Sequence, residues 1–246
     1  MPVCKNCSAP LQGPYCAQCG QRDQLERIGW SYVVHSVVHF FTHLDRGFFH
    51  TSVAMIKDPG SVVIRFLEGK RQPYHKPISY FLIWAAVTIL SFMGSEALFG
   101  KDTAILFSQY YGTEKASEFA LHNLTTILAV IIPVLSLYFW MICSAFRYNF
   151  IESLVGVLYI VGTILLLQSA FIILASLFYA MTGIRSDLEL SDPQKVIYLA
   201  WFGISFLPKF PVGHKWLRAV AFVLLSFGSF TLWRLVLYPW LAEHIL

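Results

Sequence analysis

Four of the five cysteines lie within the first twenty residues and form two C-x-x-C pairs. The pairs are Cys4 with Cys7 and Cys16 with Cys19, and Gly20 follows the second pair directly. Each pair can present two thiolates from one tight turn, and four sulfurs in a tetrahedral array suit Zn²⁺ with every coordination position filled. The spacing therefore predicts a structural Zn²⁺ site. Two disulfides or a redox pair are the alternatives, and a cytosolic location disfavours the disulfides.

Histidine recurs at every fourth position along residues 30–44, which we predict to form an amphipathic helix. His35, His39 and His43 share one side of that helix, and its other sides are apolar. Histidines spaced i and i+4 can hold one metal ion or relay a proton. The alternative is a polar stripe at headgroup depth on an interfacial helix. We favour this alternative, because Asp45 is the nearest carboxylate that could complete a site.

A basic cluster follows a short predicted helix. Residues 58–59 are an Asp-Pro helix-start signal, and Gly69 suits the left-handed position past the helix end. Lys70, Arg71 and Lys76 then stand just before the first long apolar run. Basic residues at this place can bind anionic lipid or a phosphate group. They can equally be the ordinary positive flank of a first membrane span, and the sequence leaves both possibilities open.

The rest of the chain carries no familiar catalytic motif. The sequence contains no G-x-S-x-G, H-E-x-x-H, Walker or dinucleotide-binding pattern. Its basic residues follow no pattern of nucleic-acid recognition, so we expect no nucleic-acid partner. No internal repeat and no low-complexity segment is apparent.

The composition indicates what kind of element must position these residues. The chain has 246 residues, of which 57% are hydrophobic and only 13% are charged, whereas soluble domains carry about 25% charged residues. This excludes a single soluble domain, and the high hydrophobicity excludes a disordered chain. Aromatic residues make up 16% of the sequence, which is typical of proteins with much surface at membrane interfaces.

Five apolar runs predict membrane-spanning helices. A bilayer core of about 30 Å takes about 20 residues of helix, and the predicted spans are residues 78–98, 124–146, 154–181, 192–207 and 217–238. The fourth reaches a sufficient length only when it is extended back to the Asp-Pro pair at 192–193. With five spans, thirteen of the 18 basic residues fall on the side of the N-terminus. Because basic residues favour the cytoplasmic side, we predict a cytosolic N-terminus and an external C-terminus.

These patterns divide the chain into three zones. Residues 1–24 form a zinc-ribbon head, residues 25–77 form amphipathic juxtamembrane helices, and residues 78–246 form a transmembrane helical domain. The predicted fold class is all-α: a polytopic helical membrane protein with about five transmembrane helices, a small N-terminal zinc ribbon and interfacial amphipathic helices.

A longer pattern joins the head to the first span. Tyr15 stands just before the second cysteine pair, as in the short zinc-ribbon heads that open many bacterial membrane proteins. Further along runs a D-x-G-F…T…P-G…G-K-R…Y…P block, formed by Asp45, Gly47, Phe48, Thr51, Pro59, Gly60, Gly69, Lys70, Arg71, Tyr74 and Pro77. Residues 1–80 thereby resemble an uncharacterised family of bacterial polytopic membrane proteins. The resemblance implies a multi-pass protein of the bacterial inner (cytoplasmic) membrane, and it implies no mechanism.

Three functions of different classes fit the sequence. The first is an integral membrane interaction or assembly protein, whose zinc head and basic block dock a cytosolic protein or anionic lipid. The second is a small transporter or channel subunit, although the spans lack the mid-span charges that ion coupling needs. The third is a membrane enzyme acting on a lipid or isoprenoid phosphate through the three histidines and Asp45 with Lys70 and Arg71. We rank them in this order, and the ranking leans away from an enzyme.

Overall fold

The computed structural model describes residues 2–23, 27–30, 32, 47–99, 124–143, 148–183, 191–209 and 215–232. Within these ranges the regular structure is helical, and the only β pairing is two isolated bridges in the head. The helices in chain order are α1 Gly47–Lys57, α2 Pro59–Leu67, α3 Pro77–Phe99, α4 Leu124–Cys143, α5 Phe150–Thr182, α6 Ser191–Phe206 and α7 Lys215–Leu232, with a 3₁₀ turn Leu207–Lys209 after α6. The predicted all-helical class is confirmed.

Each predicted span corresponds to one helix, but the helices differ in length. Helices α3, with 23 residues, and α5, with 33 residues, are long and apolar enough to cross a membrane. The apolar stretches of α4 and α7 are shorter, Leu128–Met141 and Trp216–Ser229. Helix α6 has 16 residues, about 24 Å at the usual helical rise. By length and composition, the described part of the chain therefore contains two candidate membrane spans.

Helices α3 and α5 pack side by side and run parallel. Three hydrogen bonds of 2.9 to 3.1 Å join them, and the bonded residues rise in the same order along both helices: Tyr80 with Thr163, Thr88 with the Leu165 carbonyl, and Ser95 with Ser176. Because α3 and α5 point in the same direction, the chain must run back between the end of α3 and the start of α5. Helix α4 provides this return and packs on α5, where the ring of Phe139 lies over Gly156. Small and hydroxyl-bearing residues at such contacts are typical of helices that associate within membranes.

The outer faces of this bundle are apolar. Large exposed hydrophobic side chains occur on α3 to α7, and on the first three of these helices they include Leu90, Met93, Val134, Leu137, Leu174 and Leu177. Hydroxyl side chains are instead buried between the helices: Thr88, Ser95, Ser136, Thr163 and Ser169. A water-soluble bundle rarely exposes contiguous apolar surface on this scale.

Helix α2 begins and ends where the sequence predicts. Asp58 is the N-cap residue, and its carboxylate accepts hydrogen bonds from the backbone N–H and the hydroxyl of Ser61 at 3.2 and 2.6 Å. Pro59 occupies the first turn, where its missing N–H is not needed. Gly69 has a φ of 93° just past the helix end. The predicted start and stop signals are therefore confirmed.

Two glycines allow α1 and α2 to pack closely against the end of the bundle. A Cβ atom at Gly60 would lie 2.4 Å from the backbone nitrogen of Phe206, and the Gly60 N–H donates to the hydroxyl of Ser205 at 2.6 Å. A Cβ atom at Gly47 would lie 2.5 Å from the carbonyl oxygen of Pro73. Two of the three glycines of the sequence block, Gly47 and Gly60, thus mark the points where backbones meet.

The segment between α2 and α3 is held from both sides. On the α1 side, the hydroxyl of Thr51 donates to the Gly47 carbonyl and accepts from the His75 N–H, both at 2.7 Å. On the α5 side, the hydroxyl of Tyr159 donates to the His75 carbonyl. Helices α1 and α2 and this segment therefore form one layer at the end of the bundle, and this layer positions the N-terminal head.

Candidate metal centre

The first cysteine pair lies in a tight hydrogen-bonded turn. The carbonyl of Cys4 accepts from the N–H of Ser8 at 2.9 Å, and the N–H of Cys4 donates to the carbonyl of Ala9 at 2.8 Å. Ser8 has a φ of 61°, the left-handed conformation that reverses the chain. The turn brings the thiols of Cys4 and Cys7 close to one point.

The second pair repeats this geometry twelve residues later along the chain. The carbonyl of Cys16 accepts from the Gly20 N–H, and the Cys16 N–H donates to the Gln21 carbonyl, both at 2.8 Å. Gly20, with a φ of 74°, takes the place that Ser8 has in the first turn. A glycine adopts a positive φ without steric cost, which suits it to this position.

The repeat extends to the residues that flank each turn. The carbonyls of Pro2 and Pro14 accept from the N–H groups of Leu11 and Asp23 at 2.9 and 3.0 Å. The prediction that the chain has no internal repeat was therefore wrong. The pattern P-x-C-x-x-C at residues 2–7 and 14–19 was the available signal, and it is too short to stand out by similarity alone.

The four sulfur atoms form one cluster. All four Sγ atoms lie within 4.8 Å of one another, and the separations Cys4–Cys19 and Cys7–Cys16 are both 3.6 Å. A tetrahedral site with metal–sulfur bonds of about 2.3 Å places its sulfurs about 3.8 Å apart. A disulfide needs a separation of about 2 Å, and all four cysteines are free. The predicted ligands are thus brought together in an arrangement that could hold a metal ion.

The thiols differ in how readily they ionise. Burial raises the pKa of Cys19, but hydrogen bonds from the backbone of Gln21, from Asn6 and from two neighbouring thiols lower it to about 7. The Ala9 backbone lowers the pKa of Cys7, yet desolvation and the other three thiols raise it to about 12. Thiols this close cannot all become thiolates without a cation between them, and a bound cation displaces their remaining protons.

Gln21 joins the cluster to the layer at the end of the bundle. Its backbone carbonyl accepts from Cys16, while its side chain is 4% exposed. The side-chain oxygen accepts from the backbone N–H groups of Arg71 and Gln72 at 3.0 and 3.4 Å. One residue therefore contacts both the second cysteine turn and the segment after α2, and sequence reasoning did not identify it.

The three basic residues predicted to contact lipid or phosphate have different surroundings. The Arg71 guanidinium lies over the rings of Tyr32 and Phe66, 5.3 and 5.5 Å from their centroids. Lys70 is exposed, and its ammonium lies 3.8 Å from the Glu68 carboxylate. Lys76 is partly buried. The described contacts therefore give Arg71 a packing role within the layer, and Lys70 is the most accessible of the three.

A second link ties the residues after the head to α5. The guanidinium of Arg27 donates to both carboxylate oxygens of Glu152, at 2.9 and 3.1 Å, and this pairing raises the pKa of Arg27. The buried Glu152 also accepts from the Asn149 N–H at 2.8 Å, completing a capping box at the start of α5. The N-x-x-E spacing of the capping box was readable in the sequence, whereas the partner 125 residues away was not.

The predicted histidine site lies outside the described residues. His35, His39 and His43, with Asp45, belong to ranges that the structure does not describe, so this hypothesis stays a prediction. His50, which follows in the described part, lies in α1 with its ring 5.7 Å from that of Tyr74.

Comparison with known proteins gives one match. A family model described as "Protein of unknown function (DUF3667)" matches residues 45–89, which include α1, α2, the segment after them and the first half of α3. This supports the predicted relation to an uncharacterised domain family. Neither the curated proteins nor the solved structures contain a match to this chain.

Proposed function

We propose that this chain is an integral protein of the bacterial inner membrane whose zinc-bound head acts as a docking platform on the cytosolic side. The observation that carries the proposal is the four-cysteine cluster, which Gln21 fixes to the end of a bundle with apolar outer faces. A head bound in this way presents its surface in one orientation relative to the membrane, as an interaction or assembly protein requires.

Zinc is the metal that best suits the head. Four thiolates in a tetrahedral array match the structural sites of this ion, and they leave no open position for a water or a substrate. Such a site supplies folding energy to a segment with almost no core. In the described head, that core consists of Leu11 and the buried side chains of Cys4 and Cys16. The closed ligand set supports a docking role for the head over a catalytic one.

Five spans account for the helix directions and for the charges. The chain rises in α3, returns in α4 and rises again in α5, and α6 and α7 add a second return and a last ascent. The 3₁₀ turn Leu207–Lys209 extends the short α6. This topology puts thirteen of the 18 basic residues on the side of the head, in agreement with a cytosolic N-terminus and an external C-terminus.

The exposed apolar residues of the head suit a protein partner. Val3 and Tyr15 hold equivalent places in the two turns, one residue before each first cysteine, and they are 62% and 61% exposed. Aromatic side chains presented on a rigid support are typical anchors of protein interfaces. A cytosolic protein with a small apolar pocket is the partner that this surface fits.

A photo-crosslinking phenylalanine at position 15 tests the docking role in living cells. We expect one discrete adduct between the head and a cytosolic protein. This adduct should disappear in a Cys16→Ser background, which breaks the metal site. The same probe at the exposed Trp30, outside the head, is the matched control and should give no such adduct. The proposal fails if position 15 reacts only with lipid, or if the adduct is indifferent to the cysteine substitution.

A further inference from the structure

Helix α1 packs one face on the protein and exposes apolar side chains on the opposite face. The inner face buries Phe48, Thr51, Ser52 and Met55. On the opposite side, Phe49, Val53 and Ile56 are exposed, and Phe49 has 74% of its surface free. Their spacing of i, i+4 and i+7 places the three side chains in one stripe along the helix.

The stripe continues onto α6. Ile197, Trp201 and Ile204 have the same spacing and are also exposed, with Ile197 at 68%. The two stripes meet where the indole N–H of Trp201 donates to the carbonyl of Ile56 at 3.0 Å. The result is one apolar surface that runs from a helix of the bundle onto a helix of the end layer.

At the end of α1, the backbone carbonyl groups accept hydrogen bonds from the protein instead of from water. The last carbonyls of a helix have no partner within it and usually turn to water. Here the Met55 carbonyl accepts from the hydroxyl of Tyr198 at 3.2 Å, and the Ile56 carbonyl accepts from Trp201. The next residue, Lys57, is exposed. A lysine here complements the negative end of the helix, and its ammonium can reach lipid headgroups.

We propose that α1 lies in the cytosolic leaflet of the bilayer, with Phe49, Val53 and Ile56 in contact with lipid acyl chains. Its 11 residues measure about 16 Å, too short to cross a core of about 30 Å, so it rests along the leaflet as an interfacial helix does. The proposed topology places α6 across the membrane, and the continuity of the two stripes therefore points to lipid as the occupant. This inference rests on the proposed membrane location, and it moves the start of the membrane domain from residue 78 to residue 47.

A fluorescent amino acid at position 53 tests this placement. The full-length, zinc-loaded protein is reconstituted into vesicles of phosphatidylethanolamine and phosphatidylglycerol. One quencher is a lipid with a nitroxide on the upper part of its acyl chain, and the other is aqueous iodide. We expect the nitroxide lipid to quench position 53 strongly and iodide to have almost no effect. Quenching by iodide overturns the proposal because the stripe then faces water, and quenching by neither overturns it because protein then covers the stripe.

Two further probe positions separate this inference from the membrane proposal itself. Leu174 lies exposed on the long helix α5 and should be quenched by the nitroxide lipid. Lys70 is exposed in the segment after α2 and should respond to iodide. If position 174 responds to lipid and position 53 does not, the membrane proposal stands and the placement of α1 is wrong.

A charge substitution gives an independent readout that needs no label. Phe49→Asp puts a carboxylate into the stripe, whereas His50→Asp puts the same group on the neighbouring exposed position as a matched control. We expect Phe49→Asp to lower the yield of correctly inserted protein several-fold and His50→Asp to leave it near that of the wild type. Equal yields from the two variants contradict the contact with acyl chains.

Discussion

At the scale of single residues, the metal cluster depends on side chains that are close in sequence as well as in space. Each C-x-x-C pair is completed by a local turn, with the left-handed residues Ser8 and Gly20 closing the two turns. The contacts between the pairs, Cys4 with Cys19 and Cys7 with Cys16, then interlock the two halves. Removal of any one sulfur therefore affects both turns.

The first prediction concerns metal content. We expect the purified protein to hold about one zinc ion per chain, and Cys16→Ser to reduce this nearly to zero, because a structural site rarely tolerates the loss of a thiolate. Elemental analysis against protein concentration measures both values. Cys143→Ser is the matched control, since Cys143 is far in sequence from the cluster, and it should retain the metal. Wild-type protein that is free of zinc after purification without chelators would refute the prediction.

Sequence reasoning succeeded for the cysteines and failed for the residues that attach the head. The ligand set follows from spacing within twenty residues. The partners of Gln21 and Arg27, by contrast, lie 50 and 125 positions further along the chain. Neither residue type indicates such a role, because glutamine and arginine are mostly exposed surface residues. These contacts form only when the layer packs onto the bundle, and no local sequence pattern indicates that packing.

At the scale of elements, the Gln21 side chain joins the head to the segment after α2. If Gln21 is replaced by leucine, the partly buried N–H groups of Arg71 and Gln72 lose their acceptor, and a hydrogen bond of this kind contributes about 0.5–1.5 kcal/mol. We expect zinc content to stay unchanged, because the cysteine turns use only the backbone of Gln21. Amide hydrogen exchange at residues 69–72 should become faster.

Gln18→Leu serves as the control for this second prediction. Gln18 is exposed between the cysteines of the second pair, and its replacement should change neither the zinc content nor the exchange rates. If the Gln21→Leu variant loses zinc as well as protection from amide exchange, the Gln21 side chain supports the metal cluster itself. If amide exchange at residues 69–72 is unaffected, the contact does not hold the head in place.

The third prediction concerns the start of α2 and its link to the end of α6. The ammonium of Lys209 lies 2.9 and 3.1 Å from the two carboxylate oxygens of Asp58. Burial raises the pKa of Asp58, but hydrogen bonds from Ser61 and the charge of Lys209 outweigh this, and the pKa is lowered on balance. Asp58 therefore stabilises the fold fully above the unfolded pKa of about 3.9, and this contribution is lost as pH falls through the folded pKa.

Two substitutions separate the cap from the charge. Asp58→Asn keeps a good N-cap and loses the ion pair, while Asp58→Ala loses both, and loss of a cap costs about 1 kcal/mol. We expect the alanine variant to be the less stable in thermal unfolding of the detergent-solubilised protein near neutral pH. The stability gap between wild type and Asp58→Asn should narrow as the pH is lowered below about 4. A stability difference between wild type and Asp58→Asn that does not change with pH would show that the charge of Asp58 contributes nothing to stability.

At the scale of the whole molecule, the sequence predicted the order of the long helices in the part of the chain that the structure describes. Each of the five predicted spans coincides with a helix, because apolar runs of this length leave little choice of secondary structure. The layer formed by α1 and α2 was less visible. Helix α1 shows apolar residues on both faces, so periodicity could not separate the face that packs on protein from the face that remains exposed. The glycines at 47 and 60 were readable only as a pattern, and their close backbone contacts required the fold.

The last prediction concerns the crossing by α6, on which the topology depends. A reporter fused after Gly183, at the end of α5, should lie outside the cytoplasm, and one fused after Lys209 should lie inside. The two positions flank α6, so the pair isolates this one helix from the rest. A reporter fused after Tyr148, just before α5, is the matched control and should lie inside the cytoplasm. The physical reason is that Lys209, Lys215 and Arg218 favour the cytoplasmic side, and α6 must cross to place them there. If the reporters after Gly183 and Lys209 report the same side, α6 does not cross, and the bundle has four spans with both chain ends on the cytosolic side.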